Sequence, residues 1–163
     1  MKEGKSLRIT DVVKALAKAQ SYCAYQERSQ QEVRDKLYEW GLWQSAVEEI
    51  ISQLILDGYL NEERFAIAYA GGKFRIKKWG KIKIIQGLKE KKVSDYCIKK
   101  ALHEISSKEY LKTLKTLILA VSRKNRNFSL AFFRQQTARY AISMGFEPEL
   151  VWEIINGQNK DGV

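Results

Sequence analysis

The residues with the clearest chemical potential are cations. Lys73, Arg75, Lys77, Lys78, Lys81, Lys83, Lys89, Lys91 and Lys92 fall within 20 residues that hold one acid, Glu90. A helix that is merely soluble interleaves both signs, whereas a one-sign run repels itself until a polyanion relieves it, so this stretch points to anion binding. The spacing of Lys73, Lys77 and Lys81 puts three ammonium groups on successive turns if one helix continues that far, with Arg75 and Lys78 beside them. Phe74 and Trp79 lie inside the run; aromatics there either offer faces to nucleobases or pack a core, and helical spacing favours the core. A second, looser group is formed by Arg123, Lys124 and Arg126 with Arg134 and Arg139.

Catalytic chemistry is thinly provided. Hydrolases and nucleases hold carboxylates, a histidine, or a nucleophile with its base together in a cleft. Asp57, Glu62 and Glu63 are the available carboxylate group, but they sit where the first turn of a helix favours negative charge. His103 is the single histidine, and Cys23 and Cys97 are the two cysteines. That set builds neither a four-ligand zinc site nor a disulfide framework, and both thiols read as small buried hydrophobes. Gly71-Gly72 and Trp79-Gly80 lack the lysine-serine ending and the preceding strand of a phosphate loop. The expectation is a protein that is not an enzyme and uses no metal or cofactor.

Length and composition set the frame for these residues. The chain has 163 residues, 29 Lys+Arg against 19 Asp+Glu for a formal charge of +10, and 45% hydrophobic residues, enough apolar mass for a core. Charge is uneven: residues 1–72 carry net −2, residues 73–100 net +9 and residues 101–163 net +3. Apolar runs such as Leu117 to Val121 are far short of the roughly 20 residues of a membrane span. Lys14 and Lys18 interrupt the first apolar segment, so no signal-peptide stretch follows the N-terminus. Cytoplasmic residence as a monomer, away from membranes, is expected.

One proline, Pro148, leaves little to break helices, and apolar residues recur every three or four positions rather than alternating. The fold class is all-α. Helices are expected near 10–27, 30–40, 44–56, 62–77, 81–91, 95–105, 107–123, 129–143 and 149–156. Ser29 to Glu32 reads as a capping box, Asn61 caps the segment that opens with Glu62 and Glu63, and Ser94-Asp95 and Glu147-Pro148 mark later starts. Gly41, Gly58, Gly145 and Gly157 suit left-handed helix stops. A shift of 51 residues superposes Val33 on Ile84, Leu37 on Leu88, Leu42 on Val93, Val47 on Ile98 and Ile51 on Leu102. A further shift of 53 brings Leu88 onto Ala141, Val93 onto Phe146, Ile98 onto Val151 and Leu102 onto Ile155. Three tandem three-helix repeats follow, spanning 1–57, 58–106 (with the basic stretch) and 107–163, and such units are expected to stack into an elongated, curved array.

The motif Tyr59-Leu60-Asn61-Glu62-Glu63-Arg64-Phe65-Ala66, then Tyr69, then Trp79-Gly80-Lys81-Ile82-Lys83-Ile84 and Leu88-Lys89-Glu90-Lys91, resembles the RecX family of bacterial recombinase regulators. The resemblance runs from about residue 15 to 156. Asn61 and Glu62 replace a favoured pair of aspartates and keep a helix cap with its charge. Lys92 replaces a common glycine before Val93, putting a side chain where a left-handed stop is needed, at a cost of roughly 1 kcal/mol.

The resemblance implies three tandem three-helix units that bind RecA and restrain its filament on single-stranded DNA. It further implies docking along the filament groove, with less ATP turnover, strand exchange and filament growth. The cations Lys73, Arg75, Lys77, Lys78, Lys81 and Lys83 are then candidates for filament or nucleic-acid contacts, extended by Arg123, Lys124, Arg126, Arg134 and Arg139. Tyr59, Leu60, Arg64, Phe65, Ala66, Tyr69 and Gly80 are expected to be architectural, with the aromatics packing the middle unit and Arg64 tying down its helix start. The rival expectation is a helical DNA-binding module without a recombinase partner, contacting DNA directly through its charge.

Overall fold

The computed structural model describes residues 11–124 and 129–157. Among the described residues there are nine α-helices and no strand: α1 (Val12–Tyr25), α2 (Gln30–Glu39), α3 (Gln44–Leu56), α4 (Glu62–Lys77), α5 (Lys81–Glu90), α6 (Asp95–His103), α7 (Ser107–Lys124), α8 (Leu130–Ser143) and α9 (Pro148–Gly157). The three-and-four apolar rhythm sets this all-α class, and local side-chain chemistry sets the helix boundaries.

Helix starts follow the caps. Ser29 Oγ accepts the Glu32 N–H at 3.0 Å while the Glu32 carboxylate accepts the Ser29 N–H at 2.8 Å, closing a capping box before α2. Asn61 Oδ1 accepts the Arg64 N–H at 2.8 Å at the head of α4, and Asp11 does the same for Val13 at 2.9 Å before α1. Pro148 occupies the first position of α9, where its missing N–H leaves no bond unmade.

Helix stops carry the repeat. After α2, Leu42 N–H donates to the Leu37 carbonyl at 3.2 Å; after α5, Val93 donates to Leu88 at 3.1 Å; after α8, Phe146 donates to Ala141 at 3.3 Å. The left-handed residue of each turn is Gly41 (φ 91°), Lys92 (φ 57°) and Gly145 (φ 97°), the same position under the 51- and 53-residue shifts. The next helix starts three residues later each time, at Gln44, Asp95 and Pro148. In each turn the two residues joined by the long bond are buried, closing the apolar contact typical of this stop. The same kind of stop also ends α3 at Gly58 (φ 77°) and α4 at Lys78 (φ 58°), so the turns at Gly41, Lys92 and Gly145 are consistent with the repeat read from apolar spacing through their register. Gly157, expected as a fourth left-handed stop, is instead the last residue of α9 without positive φ. Lys78, not expected to be special, ends α4 in the left-handed region at φ 58°.

By contact the chain divides into two compact units, one of Met1–Ala68 with Leu88–Ile98 and one of Tyr69–Gly87 with Lys99–Val163. In the first, α1, α2 and α3 pack on one another around Ala15, Val33, Leu37, Val47, Ile50 and Leu54, each at most 2% exposed. Each large aliphatic side chain so buried contributes roughly 1.5–3 kcal/mol. Glu32 binds Lys91 Nζ at 2.7 Å across this unit, joining the head of α2 to the turn after α5. In the second, α7, α8 and α9 pack around Leu114, Ile118, Ala138, Ala141 and Val151.

The second unit also contains a close backbone approach. Gly80 N–H donates to the Met144 carbonyl at 2.8 Å, and Ile82 N–H donates to the Gly145 carbonyl at 2.9 Å. A Cβ at Gly80 would lie 2.2 Å from the Gly145 carbonyl carbon, so only glycine lets the start of α5 seat on the turn after α8.

Candidate functional site

The part of the basic stretch from Lys73 to Lys83 is built on the C-terminal half of α4, the turn after it and the first turn of α5, within the second unit, whereas Lys89, Lys91 and Lys92 lie at the end of α5 and after it, in the first unit. Because Lys78 turns left-handed, α4 stops at Lys77 and a new helix begins at Lys81. The break between the helices expected at 62–77 and 81–91 is present, so Lys73, Lys77 and Lys81 do not lie on successive turns of one helix. Lys81 instead stands at the head of α5.

The cations separate into two sets. Lys73 Nζ lies 4.8 Å and Lys83 Nζ 4.6 Å from the centre of the Trp79 ring, and Lys73 is also 5.4 Å from the Tyr69 ring. Lys81 Nζ lies 4.8 Å from the Tyr110 ring. These three half-buried lysines are held against aromatic quadrupoles, each contact worth about 0.5–1 kcal/mol. Arg75, Lys77 and Lys78 are exposed, and none is in ion-pairing distance of a described carboxylate. The Arg75 guanidinium folds back over Gly71, where a Cβ would meet its nitrogens at 2.8 Å. Part of the basic density has a local role, since Arg75 and Lys77 in the last turn of α4 complement its dipole. Lys78, beyond the helix and in a conformation costly for a side chain, has no such role.

Lys91 departs from the run altogether. Its ammonium pairs with Glu32, so one of the nine cations is neutralised within the protein. Burial raises the Glu32 carboxyl, but the hydrogen bonds from Lys91 and Ser29 outweigh it and hold the group below the usual glutamate range.

Tyr110 was not singled out by the sequence and organises this region. It is 4% exposed, with Phe74 at 5.8 Å and Phe146 at 5.2 Å between ring centres. Its hydroxyl accepts the Lys81 N–H at 3.0 Å and donates to Glu147 at 2.5 Å. Burial, then the bond to Glu147, push this phenol far above its ordinary range, so it is a fixed neutral donor. Phe74 is thereby committed to the core and is not a stacking face; Trp79 is half-buried beneath two ammonium groups. No local pattern announces Tyr110, because its partners lie 29 and 37 residues away.

The family motif residues divide between core and frame. Leu60, Phe65 and Ala66 are at most 5% exposed, while Tyr59 is 37% exposed. Arg64 binds Glu27 through Nε and donates to the carbonyls of Gly58 at 3.0 Å and Tyr59 at 3.4 Å, fixing the turn into α4. A Cβ at Gly87 would meet the Tyr69 hydroxyl at 2.1 Å, which places Tyr69 across α5.

In the second basic group, Arg123 and Lys124 end α7 exposed, and Arg139 is exposed on α8. Arg134 is half-buried against Phe133 and Thr137 around a small cavity, and Arg126 lies outside the described residues. Burial raises the thiols of Cys23 and Cys97, keeping both protonated, and His103 is exposed in the last turn of α6. Among the described residues no three His, Cys, Asp or Glu converge to hold a metal, and no helix is long and apolar enough to cross a membrane.

Comparison with known proteins matches these elements. The family model for RecX, first three-helix domain, matches residues 15–54, and that for RecX, second three-helix domain, matches residues 61–102. The chain is 30% identical over 132 residues to a protein named Regulatory protein RecX from Bacillus mycoides, covering 81% of this chain and 48% of that protein. A Bacillus cereus protein of the same name is 26% identical over 151 residues, covering 91% and 55%. The chain thus spans about half the length of the curated relatives it matches. A crystal structure of RecX from Lactobacillus salivarius superposes with a TM-score of 0.83 at 24% identity, over 93% of this chain and 97% of that one. A second, titled as regulatory protein RecX, gives 0.77 at 25% identity over 90% and 73%.

Proposed function

The chain belongs to the RecX family, and from that membership we propose that it is a non-enzymatic negative regulator of the RecA recombinase in homologous recombination and DNA repair. In this reading it docks in the groove of the RecA filament on single-stranded DNA and limits filament growth, ATP hydrolysis and strand exchange. Its modules are three repeats, 1–57, 58–106 and 107–163, supported by the recurrence of one helix stop at Gly41, Lys92 and Gly145.

The observation that carries the reading is the exposed, unneutralised set Arg75, Lys77 and Lys78 inside the matched second three-helix domain. Their charge is not consumed by described carboxylates, so it is available to the polyanionic surface that a nucleoprotein filament presents. Lys73, Lys81 and Lys83 contribute charge from fixed positions against Trp79 and Tyr110.

The test is a RecA ATPase assay on single-stranded DNA with increasing amounts of this protein, repeated with Lys77, Lys78 and Lys81 changed to Glu. Inhibition well below one molecule per recombinase subunit, lost in the triple variant while its helical circular dichroism is retained, supports the reading. Undiminished inhibition by a folded triple variant removes these residues from the mechanism. Tight DNA binding with no effect on RecA favours the free-standing DNA-binding module instead.

A further inference from the structure

One face of α7 carries a surface that shares Lys78 with the basic stretch and Lys124 with the second basic group, and nothing with the family motif. Two adjoining grooves, of about 330 Å³ and about 420 Å³, share Leu117 and Ala120 as a common floor, continued by Val121. Lys78 and Lys112 stand at one end and Lys124 at the other. Among the described residues no carboxylate lines either groove, and α7 carries Lys108, Lys112, Lys115, Arg123 and Lys124 against a single Glu109. From Lys112 to Lys124 the helix rises roughly 18 Å, the length of about three helical turns.

An aliphatic floor between cationic ends complements a ligand with an apolar stripe and carboxylates at its margins. Single-stranded nucleic acid is the less suited polyanion, because such strands are held by stacking on aromatic faces and the shared floor has none; Tyr140 stands at the Lys124 end alone. Helix-in-groove recognition places apolar anchors every three or four residues on the floor and leaves polar groups at the rim. We propose that the Lys78–Lys112–Lys124 groove along α7 binds an acidic amphipathic peptide segment of a partner protein. The surface is centred on Ala120 and meets the residues assigned to the filament only at its ends, through Lys78 and Lys124, and its test needs no recombinase.

The probe is a fluorescein-labelled 14-residue peptide of Glu, Ala and Leu with leucines spaced three and four apart, compared by fluorescence anisotropy with a scrambled peptide of equal composition and with an oligothymidylate. Ala120→Glu and Ala120→Lys put side chains of similar length on the exposed floor, and both residues are good helix formers. Binding of the patterned peptide about tenfold tighter than the scrambled one, weakened roughly tenfold by Ala120→Glu and not by Ala120→Lys, is the expected result. Patterned-peptide binding indifferent to the sign of the charge at position 120, or no such binding, overturns the proposal. Oligothymidylate binding that responds to Ala120→Glu while the peptide fails to bind overturns it in favour of a nucleic-acid groove.

Discussion

At Glu32 a single carboxylate accepts from two donors: it closes the capping box of α2 through the Ser29 N–H and holds the Lys91 ammonium. Its folded-state pKa is depressed, so its contribution to stability is fully present above the ordinary glutamate value and disappears as pH falls through the lowered folded value. Glu32→Gln should cost about 1 kcal/mol at neutral pH, and urea midpoints taken between pH 7 and pH 3 should show a shallower acid-side loss than the parent. Half of this arrangement was legible beforehand, because Ser29 and Glu32 are three residues apart and the capping box is a local motif. The other half was not, since Lys91 lies 59 residues away and looked like one more member of the basic run. The same limit applies to Tyr110, whose type and neighbours in sequence give no sign that it bonds to Lys81 and Glu147.

Helix ends show where sequence reading succeeds and where it slips. Apolar spacing and caps located the helices because both signals are local. Gly157 misled, since a glycine after an apolar run has the composition of a stop whether or not the backbone turns there. Lys78 was missed for the opposite reason: nothing in its residue type favours a left-handed conformation, and the turn is imposed by the bond from Trp79 N–H back to the Lys73 carbonyl at 3.2 Å. Two substitutions at such junctions should act in opposite directions. Lys92→Gly removes the cost of a side chain at φ 57° and should raise stability by about 1 kcal/mol in chemical denaturation. Gly80→Ala drives a methyl into the Gly145 backbone and should lower stability by about 1–3 kcal/mol or more in the same assay, because backbone cannot swing aside as a side chain can.

Over the whole molecule, the nine cations of the central stretch are not equally free to meet a ligand. Lys91 is neutralised by Glu32, and Lys73, Lys81 and Lys83 sit against rings, which leaves Arg75, Lys77 and Lys78 as the exposed members of the central stretch up to Lys83. If those three meet phosphates, the logarithm of duplex affinity should fall against the logarithm of salt concentration with a slope near roughly −2.7, and Lys77→Gln should flatten it by about 0.9. Anisotropy titrations from low to physiological salt measure both, and a slope near zero excludes phosphate contact by this set. Composition revealed that charge was concentrated; only the fold reveals how it is apportioned.

The pairing of Lys73 and Lys83 with Trp79 gives the protein a built-in optical reporter. An indole with two ammonium groups within 5 Å of its ring emits in a strong local field. Any anion that draws either lysine aside changes that field and therefore the colour of the fluorescence, so occupancy of this surface is visible without a label once the other tryptophans are replaced by phenylalanine.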